Sequence, residues 1–299
     1  MPSRSQSAII TYRALRMGVV AMAVLLAASL VLEIIRTRGL ELTSISASFY
    51  SPVRNVFVGV LIATGMALIT IMGREKGEDG ALNLAGMLAP TIGMLPTTVG
   101  PSAPGACQDG VARCIPITAL IDVENNVSAL LVLGFLGLVG ALVFVVRTHG
   151  ARSVQLRRMI LPAALWLASA VIWIFARELA FVHGHNVAAF GFFLLLAWVA
   201  RINAMDPPEG PTVMGLTPKA YQRGYRIISA VMTGTIVLTG AYDIAILARW
   251  LPNPWPQWFF LAESLLLALF IAFWVLQTLH FWRDGVPDAI PAEQGDALG

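Results

Sequence analysis

Long apolar runs separated by short polar segments repeat from one end of the sequence to the other. A run of about 20 residues, at 1.5 Å per helical residue, crosses the roughly 30 Å hydrocarbon core of a membrane. The pattern therefore predicts an all-α fold, a polytopic transmembrane helix bundle. We expect about eight spans, at residues 17–35, 53–73, 81–95, 126–146, 159–176, 187–200, 225–247 and 259–280.

The polar segments divide the chain around this bundle. We predict that residues 1–16 are a cytoplasmic N-terminal segment, residues 17–282 the transmembrane domain, and residues 283–299 a disordered cytoplasmic tail. The first apolar run is too long for the apolar part of a signal peptide, so we expect it to be retained as a span. The longest polar loops are predicted at residues 96–124, outside, and 201–224, inside.

The distribution of lysine and arginine indicates the orientation. With the N-terminus inside, the inner segments hold more than twice as many of these residues as the outer segments. Positively charged loops stay in the cytoplasm, so both termini are predicted to be cytoplasmic. This orientation places Cys107 and Cys114 in the outer loop, where a disulfide can persist. The alternative is two unrelated free thiols.

Composition supports a membrane protein and excludes a soluble enzyme with a single anchor. Hydrophobic residues make up 57% of the chain and charged residues 12%, against roughly 25% charged residues in soluble domains. The net charge of +3 does not indicate nucleic-acid binding. The basic residues lie at the ends of apolar runs, and no basic patch with interleaved aromatic residues is present.

Polar residues near the outer ends of the spans form the candidate site. An ionisable side chain at the centre of a bilayer costs about 2.5 to 3.5 kcal/mol, so such residues are often functional. We predict a shared, outward-facing pocket in which Arg54 contacts an anionic group, since its guanidinium suits phosphate or carboxylate. The alternative is a set of scattered interfacial anchors. The candidate ligand-binding residues are Arg54, Asn55, Glu124, Asn125, Arg177, Asp243 and Glu263.

His183 and His185 raise the alternative of a metal site. Gly184 between them favours a turn, and a third ligand would have to come from Asp243, Glu124 or Glu263. Nucleophilic catalysis would need a serine or cysteine beside a histidine, and no sequence feature pairs them. The motifs GxSxG, HExxH and the Walker loop are absent. The sequence therefore favours a protein that is not an enzyme, and we expect no cofactor.

Two patterns bear on how the helices pack. Gly134, Gly137 and Gly140 recur every three residues and predict a face on which a neighbouring backbone approaches closely. Pro90 and Pro96 interrupt the third apolar run. An interrupted helix near the middle of the membrane is typical of secondary transporters, which keeps that class open.

Several segments together resemble a family of polytopic bacterial inner-membrane proteins of unknown function that is common in actinobacteria. They read SxSxxFYSPVRNVFVGVLIATG, EDGALNLAGMLAPTIGMLPT, ENNVSALL, YRIISAVMTGTIVL and WFFLAESLLLALFIAFWVL. The resemblance implies a multi-helix fold in the bacterial plasma membrane and no activity to carry over. A more distant comparison is with the membrane hydrolases that include alkaline ceramidases. The second and third predicted spans lack their histidines, and no HxxxH occurs.

The sequence thus predicts an integral membrane protein that binds or moves a lipid or small amphipathic molecule, or a subunit of a membrane complex. The alternatives are an intramembrane metal-dependent hydrolase of the ceramidase type and a secondary transporter. Membrane lipids are the expected partners, with a second membrane protein or a second copy of the chain as further possibilities, and no nucleic acid.

Overall fold

A computed structural model describes residues 4–38, 42–73, 77–99, 113–149, 154–206, 215–248 and 257–282. The described residues form helices and no strand, apart from one isolated antiparallel bridge between Val99 and Cys114. The helices are α1 (Arg4–Thr37), α2 (Arg54–Thr70), α3 (Glu78–Met94), α4 (Ile117–His149), α5 (Val154–Arg158), α6 (Ile160–Phe175), α7 (Arg177–Asn203), α8 (Pro218–Leu247) and α9 (Trp258–His280). A 3₁₀ turn, Ser46–Tyr50, precedes α2.

The all-helical prediction is confirmed for the described residues. Six candidate membrane-crossing helices are long and apolar enough to span a bilayer. They are α1, α4, the segment Gln155–Phe175 that joins α5 and α6, α7, α8 and α9. Helices α2 and α3 have 17 residues each, so each rises about 25 Å. The count of eight spans and the orientation of the termini stay predictions.

The helices form a closed ring. Helices α1, α2, α3, α7, α8 and α9 each contact the next in that order, and α9 contacts α1 again. Helices α4 and α6 pack outside the ring against α3, and α6 also contacts α7. The main hydrophobic core lies inside the ring and includes Leu68 of α2, Leu82 of α3, Leu196 of α7 and Trp274 of α9.

Helices α2 and α3 form a close antiparallel hairpin. A Cβ atom on Gly65 would lie 2.6 Å from the carbonyl oxygen of Gly86, and a Cβ on Gly86 would lie 2.7 Å from that of Gly65. Both positions therefore exclude a side chain. Pro90 also packs against Gly65, and α3 continues through Pro90 to Met94. The expectation that Pro90 interrupts this helix is wrong.

Four helices begin earlier than the predicted spans, because polar residues lie within helices rather than in loops. Helix α1 already begins at Arg4, inside the predicted N-terminal segment, and α4 begins at Ile117, inside the predicted loop 96–124. Helix α7 begins at Arg177, so its first turns replace the predicted link before residue 187. Helix α8 begins at Pro218, inside the predicted loop 201–224, and the side chain of Thr217 accepts the N–H of Ala220 as a cap.

The glycine stripe of α4 does not pack closely against another helix within the part of the chain that the structure describes. There, nothing lies within 4 Å of a Cβ built on Gly137 or Gly140, and Gly134 faces Trp166 of α6. The indole N–H of Trp166 donates to the carbonyl of Leu131 at 2.8 Å. Most side chains of α4 beyond this point are exposed, because α4 lies outside the ring and contacts few neighbours.

Some predictions fall on residues that the structure does not describe. Cys107 and the tail 283–299 lie outside the described residues, as do residues 100–112 of the predicted outer loop and 207–214 of the inner loop. The Cys107–Cys114 disulfide therefore stays a prediction.

Candidate site: an apolar cavity with a polar end

A cavity of about 110 Å³ lies inside the helix ring. Its walls come from α1, α2, α7 and α9, with Ile92 of α3 and Thr239 of α8 completing the lining. Most of the lining is apolar, and it includes six phenylalanines: Phe57, Phe190, Phe192, Phe193, Phe259 and Phe270.

Three polar side chains from different elements meet at one end of this cavity. Ser46 comes from the 3₁₀ turn, His185 from α7 and Glu263 from α9, and all three line the cavity. The Oγ of Ser46 lies 2.7 Å from Nε2 of His185 and 2.9 Å from Oε1 of Glu263. We call these residues the polar trio.

The backbone fixes both ends of the polar trio. Nδ1 of His185 lies 2.7 Å from the carbonyl oxygen of Leu95, the first residue after α3. At the other end, the backbone N–H groups of Ile45 and Ser46 donate to Oε2 of Glu263, the second at 3.3 Å. These N–H groups are available because they lie at the start of the 3₁₀ turn, where no earlier turn accepts them.

A further backbone contact holds the segment before the 3₁₀ turn against α9. The N–H of Phe260 donates to the carbonyl oxygen of Thr43 at 3.0 Å. The polar trio therefore joins α3, α7 and α9 through one short segment. Its hydrogen bonds are expected to hold those elements together.

One buried hydroxyl in the cavity wall has no partner among the described residues. Thr239 of α8 is 4% exposed and lines the cavity, and its Oγ1 makes no hydrogen bond there. Buried hydroxyl groups in native proteins are almost always hydrogen-bonded, to protein or to ordered water. This hydroxyl therefore adds one polar group to a mostly apolar wall.

Most of the charged site candidates form ion pairs away from the cavity. Arg54 lies 3.0 Å from Asp122, and Arg177 lies 3.1 Å from Glu124. Asp243 lies 3.9 Å from Arg113. The side chains of the first two pairs are between 37% and 52% exposed, so these contacts stabilise the fold only weakly.

The structure does not bring the seven candidate residues into one pocket. Of them, Glu263 alone lines the 110 Å³ cavity. Arg54 lines a separate, more open depression together with Phe49, Tyr50 and neighbouring residues. Asn55 and Asn125 are exposed. Arg177 and Glu124 are the two candidates that pair with each other among the described residues. The part that the candidate residues play in binding stays a prediction.

The two histidines do not form the predicted metal site. Both lie on α7, where residues two apart point in different directions, so His183 is exposed while His185 is 3% exposed. Among the described residues, no three His, Cys, Asp or Glu side chains are close enough to bind one metal ion. Gly184 is helical and makes no turn.

A second buried polar network, at the opposite end of the ring, was missed from the sequence. Glu78 is 1% exposed and accepts hydrogen bonds from Asn203 at 3.1 Å and Gln277 at 2.8 Å. Arg16, 2% exposed, donates to the carbonyl of Gln277 and to the hydroxyl of Tyr12. Helices α1, α3, α7 and α9 therefore meet through charged and amide groups at this end.

Ser46 and Glu78 were not identified from the sequence, because the residues around each of them indicate only a loop or a turn. Ser46 lies in a cluster of serine and threonine residues that indicates only a loop, and Glu78 lies in the charged turn REKGED. One signal was available for each, since Glu263 and Gln277 are isolated polar residues in the last apolar run and need buried partners.

The chain was compared with protein-family models, with curated proteins and with solved structures, and none of them matches it.

Proposed function

We propose that the protein is a membrane-embedded binding or transport protein for a small amphipathic molecule. The observation that carries this proposal is the cavity inside the ring, which is apolar along most of its wall and ends at the polar trio. Binding sites for small molecules typically combine an apolar lining with a few well-placed polar groups. The apolar part of the ligand would lie among the phenylalanines, and its polar group would contact the trio.

The volume of the cavity limits the ligand. At about 110 Å³ it is smaller than the roughly 150 Å³ apolar cavity that holds one benzene molecule. We therefore expect a short or branched apolar group, or one chain end of a lipid whose remainder lies outside the ring.

The proposal includes eight spans in a bacterial plasma membrane with both termini in the cytoplasm. Helix α3 supports this count because its ends reach two distant polar layers. Glu78, at its start, contacts Asn203 and Gln277, while Leu95, just after its end, contacts His185. Helix α2 also extends between these two layers. Arg54 at its start contacts Asp122, and just beyond its end the carbonyl of Met72 accepts a hydrogen bond from the hydroxyl of Tyr12.

Native mass spectrometry of the full chain, purified gently in lipid nanodiscs, tests this function. We expect a small molecule to be retained by the wild type and lost in Glu263→Gln, because the amide cannot carry the negative charge that the carboxyl can offer to the polar group of the ligand. The matched control is Glu33→Gln, which changes a carboxyl that pairs with Arg36 on α1 outside the cavity lining. A wild-type mass with no retained molecule would contradict the proposal and favour a structural subunit.

An intramembrane acyl hydrolase is the second candidate, and the pair of Ser46 and His185 favours it. When His185 is neutral, its Nε2 can take the Ser46 hydroxyl proton while Oγ attacks an ester carbonyl, and the same proton can pass to the leaving alcohol. This function ranks second because the nearest backbone donors for the developing oxyanion, Ile45 and Ser46, both donate to Glu263.

A fluorophosphonate probe distinguishes the two candidates. A hydrolase is expected to carry the probe on Ser46 and to lose this label in His185→Gln, while Ser48→Ala keeps it. An unlabelled wild type that still retains a small molecule supports binding or transport instead.

A further inference from the structure

The polar trio holds one proton that can reside on either of two residues. The carbonyl of Leu95 can only accept, so Nδ1 of His185 carries a hydrogen. Ser46 Oγ then has two contacts, with Nε2 of His185 and with Oε1 of Glu263. Each contact needs one hydrogen between its atoms, and the hydroxyl supplies one.

The second hydrogen must come from His185 or from Glu263. If His185 is an imidazolium, Nε2 donates to Ser46 and Ser46 donates to the carboxylate. If Glu263 is a carboxylic acid, it donates to Ser46 and Ser46 donates to Nε2. The two forms differ by a shift of two hydrogens through one hydroxyl, and the trio has no net charge in either form.

Loss of this proton leaves one negative charge at the end of the apolar cavity. One of the two contacts at Ser46 Oγ then loses its hydrogen, so two lone pairs face each other. Glu263 then depends on the backbone N–H groups of Ile45 and Ser46, which donate to its Oε2 but carry no positive charge. A positively charged group entering the cavity would restore neutrality.

The other charged side chains on the surrounding elements lie outside the cavity lining. His185 and Glu263 are the titratable residues of the cavity lining. Burial raises the pKa of Tyr50, which stays protonated and donates to the carbonyl of Thr97. Helix α3 carries its charged residues, Glu78 and Asp79, at its far end. Outside the lining lie Glu33 with Arg36, Arg54 with Asp122, Arg177 with Glu124, Asp243 with Arg113, and Glu178 and His183, which are exposed. Arg13, Arg16, Arg201, Lys219, Arg223, Arg226 and His280 also lie outside the lining.

The aromatic lining independently suits a positive charge. Six phenylalanines line a cavity of about 110 Å³, and the face of an aromatic ring attracts a cation within about 6 Å. Alkylammonium groups combine an apolar surface with a diffuse positive charge. They therefore match the rings along the wall and the carboxyl at its end.

From this arrangement we infer that the ligand is a cationic amphiphile, an alkylammonium, and that it exchanges with the proton of the polar trio. The inference rests on the proposed function and names its substrate class. Binding of the cation displaces the shared proton, so the cavity end stays neutral with either occupant. Protonation at low pH releases the cation, and loss of the proton favours its binding.

Calorimetric titration of the nanodisc-embedded chain with tetramethylammonium tests the exchange, because this probe is the smallest quaternary alkylammonium and its charge does not change with pH. We expect the apparent Kd to fall about tenfold per pH unit where the trio is protonated, and about one proton to be released per probe bound, since linkage is reciprocal. A pH-indicator dye in weakly buffered solution measures the release. Glu263→Gln is expected to abolish the release and Glu33→Gln to keep it.

Phe193→Leu tests the same inference without touching the polar trio. Loss of one aromatic face is expected to weaken tetramethylammonium binding about threefold or more and to leave binding of uncharged tert-butanol, which has a similar shape, unchanged. Equal effects on both probes would contradict the cation preference.

Two results would overturn the inference: probe binding without proton release in the wild type, or release that persists in Glu263→Gln. If the wild type retains a neutral or anionic amphiphile and does not bind the probe, the inference is wrong and the proposed function still holds. A chain that binds neither contradicts both.

Discussion

Ser46 and His185 lie 139 positions apart in the sequence, and their side chains meet with the serine Oγ 2.7 Å from the imidazole Nε2. The contact joins the short turn before α2 to α7, and Glu263 adds α9 to the same group. A hydrogen-bonded cluster of this kind both closes the end of the cavity and holds the elements that form its wall.

The first prediction concerns the energetic coupling of this pair. Ser46→Ala and His185→Ala should each lower the free energy of unfolding by about 1 to 3 kcal/mol, because each leaves a buried polar group without a partner. The double variant should cost less than the sum by at least about 0.5 kcal/mol. Denaturant titration in detergent micelles, followed by tryptophan fluorescence, measures all three. Thr278→Ala, at the other end of α9, is expected to add to Ser46→Ala without coupling.

The second prediction tests the close approach of α2 and α3. Gly65→Ala should destabilise the protein by about 1 to 3 kcal/mol, because its Cβ would lie 2.6 Å from a backbone oxygen that cannot easily move. Gly59→Ala, on the same helix with nothing within 4 Å, should be neutral or stabilising by up to about 1 kcal/mol. Unfolding midpoints of the two variants measure the difference. Equal effects would show that α2 and α3 do not pack in this way.

The third prediction concerns the network at the opposite end of the ring. Glu78→Ala should destabilise the protein by about 3 kcal/mol, because Asn203 and Gln277 lose a buried charged acceptor. Glu124→Ala removes a carboxylate whose side chain is 40% exposed and should cost less than about 1 kcal/mol. The same unfolding measurement compares the two, and a cost at Glu124 that matches or exceeds the cost at Glu78 would refute the buried network.

The fourth prediction separates the surface ion pairs from the cavity. Arg54→Ala and Arg177→Ala should leave the retained small molecule unchanged in native mass spectra, because neither residue lines the 110 Å³ cavity. Each should lower the stability by less than about 1 kcal/mol. Loss of the molecule in Arg54→Ala would instead restore Arg54 as the anion contact.

The long apolar helices could be predicted because hydrophobicity over about 20 residues is a local property. Helix ends could not, and α7 shows why. Arg177, Glu178 and the histidines made residues 177–186 look like a link, yet the polar groups lie on a helix whose faces differ in exposure. Arg177 forms an ion pair with Glu124 of α4, so its charge has a partner while the residue is part of a helix.

Two members of the polar trio stand out in the sequence, Glu263 as a ligand-binding candidate and His185 as a candidate metal ligand. Glu263 stands out as one carboxyl in an apolar run, and it does line the cavity. Ser46 could not be found in this way, because a serine in a polar loop carries no sign of its distant partner. Asp243 and Arg54 show the opposite situation. Their charges are conspicuous in the sequence, while the folded chain satisfies them in partly exposed ion pairs.

The most direct test of the central claim is to fill the cavity without changing its polar end. Ala262 lines the cavity on α9, and Ala268 is an exposed alanine on the same helix. Native mass spectrometry of Ala262→Leu and Ala268→Leu in nanodiscs compares the molecule that each retains. The account predicts that Ala262→Leu loses it and Ala268→Leu keeps it at the wild-type level. Full retention in a folded Ala262→Leu variant would contradict the account.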